Sequence, residues 1–170
     1  MNIQGKSDKF ISAIDAHKGI LYKIANAYCN DREDRKDLIQ EMYIQLWKSY
    51  ETYNDEYKYS TWIYRISLNV AISFYRKENS RTKLANSFSD DILNVVHTNE
   101  EDEKVTNFGI LQQFIVELKE LDKALILLYL EEKNYREIAE IMGRSETNIA
   151  TKIGRIKLKL KDKFSQIKNQ

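Results

Sequence analysis

The spacing of hydrophobic and polar residues predicts two helices near the start of the chain. Between residues 10 and 28, hydrophobic side chains recur at steps of three, four or seven, and Gly19 is expected to interrupt this helix. Asp31 is suited to cap a second helix, because its carboxylate can accept hydrogen bonds from the N–H groups of the first turn. The hydrophobic stripe of that second helix runs from Leu38 to Tyr50.

A third helix and a long polar segment follow. The Tyr-rich segment 52–59 is predicted as a loop, after which Ser60 or Thr61 caps a helix that ends near Lys77. The residues expected to form the core face of this helix are Ile63, Ile66, Val70 and Phe74. From 79 to 107 the periodicity fades and the composition becomes polar and acidic, which is typical of a linker.

The last third of the chain predicts four more helices, the first of them over 108–118. The predicted N-caps of the following three are Asp122, Asn134 and Ser145. Glu137 lies three residues after Asn134, which is the spacing of a capping box. Gly143 is suited to end the short third helix of this series. The final helix then runs from Glu146 to about Ile167.

These elements predict an all-α chain of two small helical domains, at 1–80 and 108–170, joined by a flexible acidic linker at 81–107. The complete absence of proline agrees with long helices. A single cysteine excludes an intramolecular disulfide. The longest purely apolar run has seven residues, far fewer than the ~20 that cross a bilayer. Because no secretory signal is evident at the N-terminus, we expect a cytoplasmic protein.

Charge alternates along the chain, although the net charge is only +1. It is −4 over 31–56, +5 over 58–83, −5 over 86–105 and +6 over 143–170. Basic blocks are typical of proteins that bind a polyanion. The alternative is that charged helices simply have solvated faces.

The helices on either side of Gly143 are predicted to form a helix-turn-helix. Ile149 and Ile153 lie four residues apart and are expected to bury the inner side of the last helix. Its other side carries Thr, Asn, Lys and Arg side chains, which suit base edges and phosphates. A helical hairpin with a solvated basic end is the alternative interpretation.

The second and third helices each carry a second pattern. The second has a polar side with Ile44 within it, as expected of a contact surface, although an ordinary solvated face is the alternative. Around the start of the third lie Tyr57, Tyr59, Trp62 and Tyr64, followed by Arg65, Asn69 and Arg76. Aromatic rings stack on unpaired bases and cations follow phosphates, so this pattern favours single-stranded DNA. Taken alone, Trp62 would more often be a core residue.

Three segments resemble conserved regions of bacterial RNA polymerase sigma factors. Residues 37–47, DLIQEMYIQLW, resemble region 2.2. Residues 60–69, STWIYRISLN, with YRK at 75–77, resemble regions 2.3 and 2.4. Residues 118–163, centred on YREIAEIMG, resemble region 4. Two domains with only a linker between them are similar to the extracytoplasmic-function (ECF) group, which lacks regions 1.1 and 3.

The resemblance implies a role for each matching position. Those that match the core polymerase-binding positions are Asp37, Gln40, Glu41, Tyr43, Ile44 and Trp47. Those that match the positions capturing the melted minus-ten strand are Tyr59, Ser60, Thr61, Trp62, Arg65, Asn69, Arg76 and Lys77. Those that match the recognition helix for the minus-thirty-five element are Ser145, Glu146, Thr147, Asn148, Thr151, Lys152 and Arg155. The chain is thus expected to direct core RNA polymerase to specific promoters without chemistry of its own.

Two other classes of protein are alternatives to this interpretation. A helix-turn-helix repressor or activator would bind a palindrome as a dimer without polymerase. An all-helical enzyme is disfavoured, because the chain has two histidines and neither a Gly-rich phosphate loop nor a nucleophile motif. We expect no metal and no cofactor. The expected partners are core RNA polymerase and promoter DNA, the resemblance adds an anti-sigma factor, and the free chain is expected to be a monomer.

Overall fold

A computed structural model describes residues 3–88 and 107–169, and within these ranges every regular element is helical, which confirms the all-α prediction. The elements are α1 (Ile3–Tyr28), α2 (Arg32–Ser49), a 3-10 turn (Tyr50–Thr52), α3 (Tyr59–Phe88), α4 (Asn107–Glu117), α5 (Glu120–Leu130), α6 (Tyr135–Met142) and α7 (Glu146–Lys168). Of the predicted linker, 89–106 lies outside the described ranges. Residues 81–88 belong to α3, which therefore runs past its predicted end near Lys77.

Helices α1, α2 and α3 form the first unit. Asp31 caps α2 as predicted, because its Oδ2 accepts the N–H groups of Glu33 at 2.9 Å and Asp34 at 3.1 Å. The predicted interruption at Gly19 is wrong, since α1 continues through it. A helical glycine costs about 1 kcal/mol relative to alanine. Burial of apolar side chains nearby, such as the fully buried Leu21, more than offsets that cost.

Helix α3 begins two or three residues earlier than predicted. The Trp62 N–H donates to the Lys58 carbonyl at 3.1 Å, so the first turn starts at Tyr59. Ser60 and Thr61 therefore lie inside the helix, and the prediction that one of them is the cap is wrong. The loop that precedes the helix supplies the first carbonyl acceptor instead.

The buried face of α3 is also rotated from the predicted one, by roughly a quarter of a turn. Ile63 is fully buried as predicted, but Ile66, Val70 and Phe74 are only half-buried. The other buried residues of this helix are Thr61, Tyr64, Ser67, Leu68, Ala71 and Ile72. The reason is that α3 packs against α1 and α2 and also against α5 and α6. The buried side of α3 therefore faces the junction where these two groups of helices meet.

Helices α4 to α7 form the second unit, and its local signals are mostly as predicted. Asn134 and Glu137 form a complete capping box, and Gly143 adopts a left-handed φ of 63° at the helix end. Ser145 caps α7 by accepting the Asn148 N–H at 3.2 Å. Asp122 is not a cap, because α5 starts at Glu120 and Asp122 lies in its first turn. There its carboxylate still favours the positive end of the helix dipole.

The two units pack on one another, and their buried hydrophobic residues form one cluster. The Tyr28 hydroxyl donates to the Glu120 carbonyl at 2.5 Å. Lys123 is only 3% exposed, and its Nζ lies 5.4 Å from the ring centroid of Tyr28 and 5.2 Å from that of Tyr75. Two aromatic faces therefore compensate this buried ammonium. The interface thus joins α1 and α3 to α5 through aromatic and polar contacts.

Candidate nucleic-acid interface

One side of α2, which we call the α2 face, carries all six residues predicted to bind core polymerase. Ile44 is 40% exposed and Trp47 is 41% exposed, although both are hydrophobic. Around them lie Asp37, Gln40, Glu41 and Tyr43. The opposite side of α2 is fully buried through Leu38, Met42 and Leu46. The α2 face is therefore an accessible surface with an apolar centre and a polar rim, which is the composition of a protein interface.

Helix α1 also exposes two hydrophobic residues, one of which lies close to this apolar surface. Ile11 is 52% exposed and Tyr22 is 49% exposed. Tyr22 lies close to Tyr43 of the α2 face, and burial is the main reason why the pKa of Tyr43 is raised. Neither residue was predicted as part of a contact surface. Their exposure was nevertheless predictable, because both lie outside the hydrophobic stripe through which α1 packs on the core.

A cluster of aromatic rings lies where the loop after α2 meets the start of α3. The rings of Tyr53 and Tyr59 are stacked, with centroids 4.5 Å apart and planes 23° apart. Trp62 lies 5.2 Å from Tyr53 and 6.3 Å from Tyr59. A hydrogen bond with Tyr50, together with burial, raises the pKa of Tyr59 to about 12. Tyr53 was not among the predicted site residues, because its contact with Tyr59 depends on how the loop folds.

The predicted minus-ten residues on α3 differ in accessibility. Tyr59, Ser60 and Trp62 are half-buried, whereas Thr61 is only 8% exposed and lies under the surface. Arg65 is also half-buried, with its guanidinium 5.1 Å from the Tyr57 ring centroid. The exposed members of the set are Asn69, Arg76 and Lys77. The structure therefore brings rings and cations together along one side of α3 and leaves Thr61 out of this surface.

A groove of about 420 Å³ lies between α2 and α3. Glu41 of the α2 face lines one wall, and Asn69 and Lys77 line the other. The two predicted surfaces of the first unit are therefore adjacent. Arg76 lies beyond this groove, and its Nε donates to Oε1 of Glu120 in the second unit at 2.9 Å.

The start of α7 presents most of the predicted minus-thirty-five residues to solvent. Ile149 and Ile153 are fully buried as predicted, which turns the opposite side of α7 outward. The exposed members are Ser145, Glu146, Thr147, Thr151 and Arg155, whereas Asn148 and Lys152 are half-buried. The Ser145 hydroxyl is engaged as the cap of α7. The Asn148 Oδ1 is buried without a hydrogen-bond partner among the described residues.

The lysines farther along α7 are partly engaged within the second unit. The Lys157 Nζ lies 4.1 Å from the ring centroid of Tyr129. Lys163 forms an ion pair with Glu117 of α4. These two lysines therefore hold α7 against its own unit as well as adding positive charge. In the described part of the chain, no group of three His, Cys, Asp or Glu residues is placed to hold a metal ion, and no helix could span a membrane.

Comparison with known proteins matches both units. The model of Sigma-70 region 2 matches residues 13–81, and that of Sigma-70 region 4 matches residues 108–160. The sigma factor SigV of Bacillus subtilis is 29% identical over 85% of this chain and 84% of its own length. The ECF sigma factor SigW of the same organism is 25% identical over 89% of this chain and 87% of its own length.

Solved structures share the fold over nearly the whole chain. CnrH in complex with the cytosolic domain of CnrY has a TM-score of 0.65 at 18% identity, covering 94% of this chain and 90% of that one. The sigma factor RpoE of Bartonella quintana in complex with the anti-sigma factor NepR has a TM-score of 0.64 at 15% identity, covering 96% and 98%.

Two helical units of these kinds, in this order, define a bacterial transcription initiation factor. The chain belongs to the extracytoplasmic-function group of RNA polymerase sigma factors. It is therefore a non-catalytic specificity subunit that binds core RNA polymerase and promoter DNA and acts in promoter-specific initiation.

Proposed function

We propose that this sigma factor captures the melted minus-ten strand with the first unit and binds the minus-thirty-five duplex with the start of α7. The α2 face docks on core polymerase. The observation that carries the proposal is the aromatic cluster beside the basic side of α3. Trp62, Tyr53 and Tyr59 lie within ring-contact distance of one another. Arg65 lies one turn along α3 from Trp62, and Arg76 and Lys77 lie farther along the same side of the helix.

Unstacking a base costs a few kcal/mol, and stacking on a protein ring returns about 1–3 kcal/mol per base. An accessible cluster of rings can therefore offset most of the cost of opening one base step. The flanking cations hold the backbone of the captured strand. On the second unit, α7 exposes hydroxyl, carboxylate and guanidinium groups near its N-terminus, where a recognition helix contacts bases.

The test compares the two tryptophans of the first unit. Trp62→Ala should retain core binding and reduce promoter opening by about tenfold, measured as permanganate reactivity of unpaired thymines. Trp47→Ala, on the α2 face, should weaken core binding instead, measured by competition for labelled core. Circular dichroism checks that both variants fold. Unchanged opening by the Trp62 variant would refute strand capture by the cluster.

The expected monomeric state separates this proposal from a dimeric repressor. The free chain should elute with the mass of a single 20.2 kDa chain and should not protect DNA until core polymerase is added. A dimer that footprints a palindrome without core would contradict the proposal.

We also propose that an anti-sigma factor covers the α2 face when the chain is inactive. The proposal is supported by the RpoE structure, which holds the anti-sigma factor NepR. Such a partner should co-purify with the chain, be displaced by excess core polymerase, and bind Trp47→Ala more weakly than wild type. A partner unaffected by both treatments would bind elsewhere.

A further inference from the structure

Helix α1 contributes side chains to the clefts that surround Tyr59. Three clefts of about 580–630 Å³ meet at this tyrosine. Lys9 lines two of them, and His17 lines two. Neither residue was predicted as a site residue, and Lys9 precedes residue 13, where the region 2 match begins.

One of these clefts, which we call the slot, is an open concavity on the surface. It lies between α1 and the start of α3 and has a volume of about 590 Å³. Ser12, Ala13 and Ala16 give it a wall of small side chains, and Tyr59 supplies an aromatic ring. A planar base can lie against an aromatic face where small residues leave room for it.

The polar groups at the edges of the slot suit the edge of a base. The His17 Nδ1 lies 2.9 Å from the Ala13 carbonyl, which can only accept, so Nδ1 carries the proton. In the neutral ring, Nε2 is then left as an acceptor. Lys9 is exposed and forms no hydrogen bond or ion pair with the described residues, which leaves its ammonium as a donor.

Charge argues for a base rather than a phosphate in the slot. Asp8 lines the same cleft as Lys9, and Asp55 lines both neighbouring clefts. The full charged lining of the three clefts is Lys6, Lys9 and Lys58 against Asp8, Glu51, Asp55 and Glu56, so the clefts offer no net positive charge to a phosphate. An uncharged base, by contrast, needs a mixture of donors and acceptors such as this one.

We infer that α1 forms the second wall of the base-capture site, with His17 accepting a hydrogen bond from an exocyclic amino group and Lys9 donating to the same base. This inference rests on the proposed function, because it requires that the first unit captures an unstacked base. It adds a preference: the captured base carries an amino group, as adenine and cytosine do and thymine does not.

The test uses holoenzyme and fork-junction DNA in which each single-stranded minus-ten position carries each base or an abasic site. His17→Ala should lower the preference for an amino-bearing base over thymine by about three- to tenfold at one position and leave the others unchanged. His17→Gln should retain part of it, because its amide oxygen can accept. Lys18→Ala is the matched control, since Lys18 is exposed on α1 and lines none of these clefts.

Lys9→Ala should weaken binding by a similar factor when the base is present and have no effect when that position is abasic. An equal loss on abasic DNA would place Lys9 on a phosphate and overturn the base contact. If His17→Ala leaves every preference intact while Trp62→Ala still impairs opening, the role of α1 is overturned and strand capture stands. If Trp62→Ala also has no effect, both proposals fail.

Discussion

Arg76 of α3 donates its Nε to Oε1 of Glu120 of α5, at 2.9 Å. Arg76 is predicted to contact the minus-ten strand, yet here its guanidinium is engaged by the second unit. The hydrogen bond from Arg76 is the main reason why the pKa of Glu120 is lowered. For Arg76 to reach DNA, this ion pair has to open, so DNA binding and contact between the units compete for one side chain.

Glu120→Gln should therefore increase the affinity of the free chain for a single-stranded minus-ten oligonucleotide. Ion pairs near the surface contribute about 0.2–1 kcal/mol, so the increase should not exceed about fivefold. Fluorescence anisotropy measures it. Glu132→Gln is the control, because it removes the same charge without touching Arg76. An equal gain in both variants would show that only net charge matters.

The ion pair between Arg76 and Glu120 also makes the free energy of unfolding depend on pH, in a direction that can be stated. The pKa of Glu120 is lowered in the folded chain, so its stabilising contribution is present above the ordinary value of 4.5 and is lost as pH falls through the lowered value. The difference in unfolding free energy between wild type and Glu120→Gln should be constant from neutral pH down to about 5 and then shrink. A difference that grows in acid would contradict this assignment.

The free energy of unfolding should fall less when Lys123 loses only its charge than when it also loses most of its side chain. Burial lowers the pKa of Lys123, so the charged form is penalised where it lies between Tyr28 and Tyr75. Lys123→Ala should reduce the free energy of unfolding by about 2 kcal/mol, because it leaves a cavity. Lys123→Met should lose less than half of that, since its unbranched chain fills the space. Urea denaturation distinguishes the two, and equal losses would assign the whole effect to the ammonium.

Two glycines of the second unit should respond oppositely to alanine. Gly154 lies inside α7, and an added Cβ would meet no atom within 4 Å, so Gly154→Ala should stabilise the chain by about 0.5–1 kcal/mol. Gly143 has a φ of 63°, and Gly143→Ala should destabilise it by about 1–2 kcal/mol. Thermal unfolding of both variants tests this, and a shift of the same sign would be inconsistent with the backbone geometry.

Lys152 should make a salt-dependent contribution to promoter binding. It lies half-buried on α7, beside the exposed Thr151 and close to Arg155. If its ammonium contacts a phosphate, Lys152→Ala should lower the slope of log K against log salt by about one unit. Lys168→Ala, near the far end of α7, should leave the slope nearly unchanged. An unaltered slope in the Lys152 variant would place this residue away from the DNA.

Features encoded in a few neighbouring residues were predictable from the sequence. The caps at Asp31, Asn134 and Ser145 each depend on a side chain that reaches a backbone group two or three residues away. The buried face of α3 was not predictable in this way. Ile66, Val70 and Phe74 form a regular stripe, but helices from the second unit cover a different side of α3.

The residues of the candidate site fall into the same two groups: those predictable from local sequence and those that only the fold brings together. The candidate residues of α2, α3 and α7 were predicted from the sequence because they match family patterns. Tyr53, Lys9 and His17 were not, because only the folded loop and the packing of α1 bring them next to Tyr59. No sequence pattern around Lys9 indicates that it lies next to Tyr59 in the fold.

Helix α1 is a single rod of 26 residues with no break at Gly19. One flank holds Tyr22 close to Tyr43 of the α2 face, and another holds Lys9 and His17 beside Tyr59. The same continuous helix therefore borders both the surface predicted to contact core polymerase and the cleft proposed to receive a base, so substitutions on its two flanks should separate enzyme docking from promoter reading.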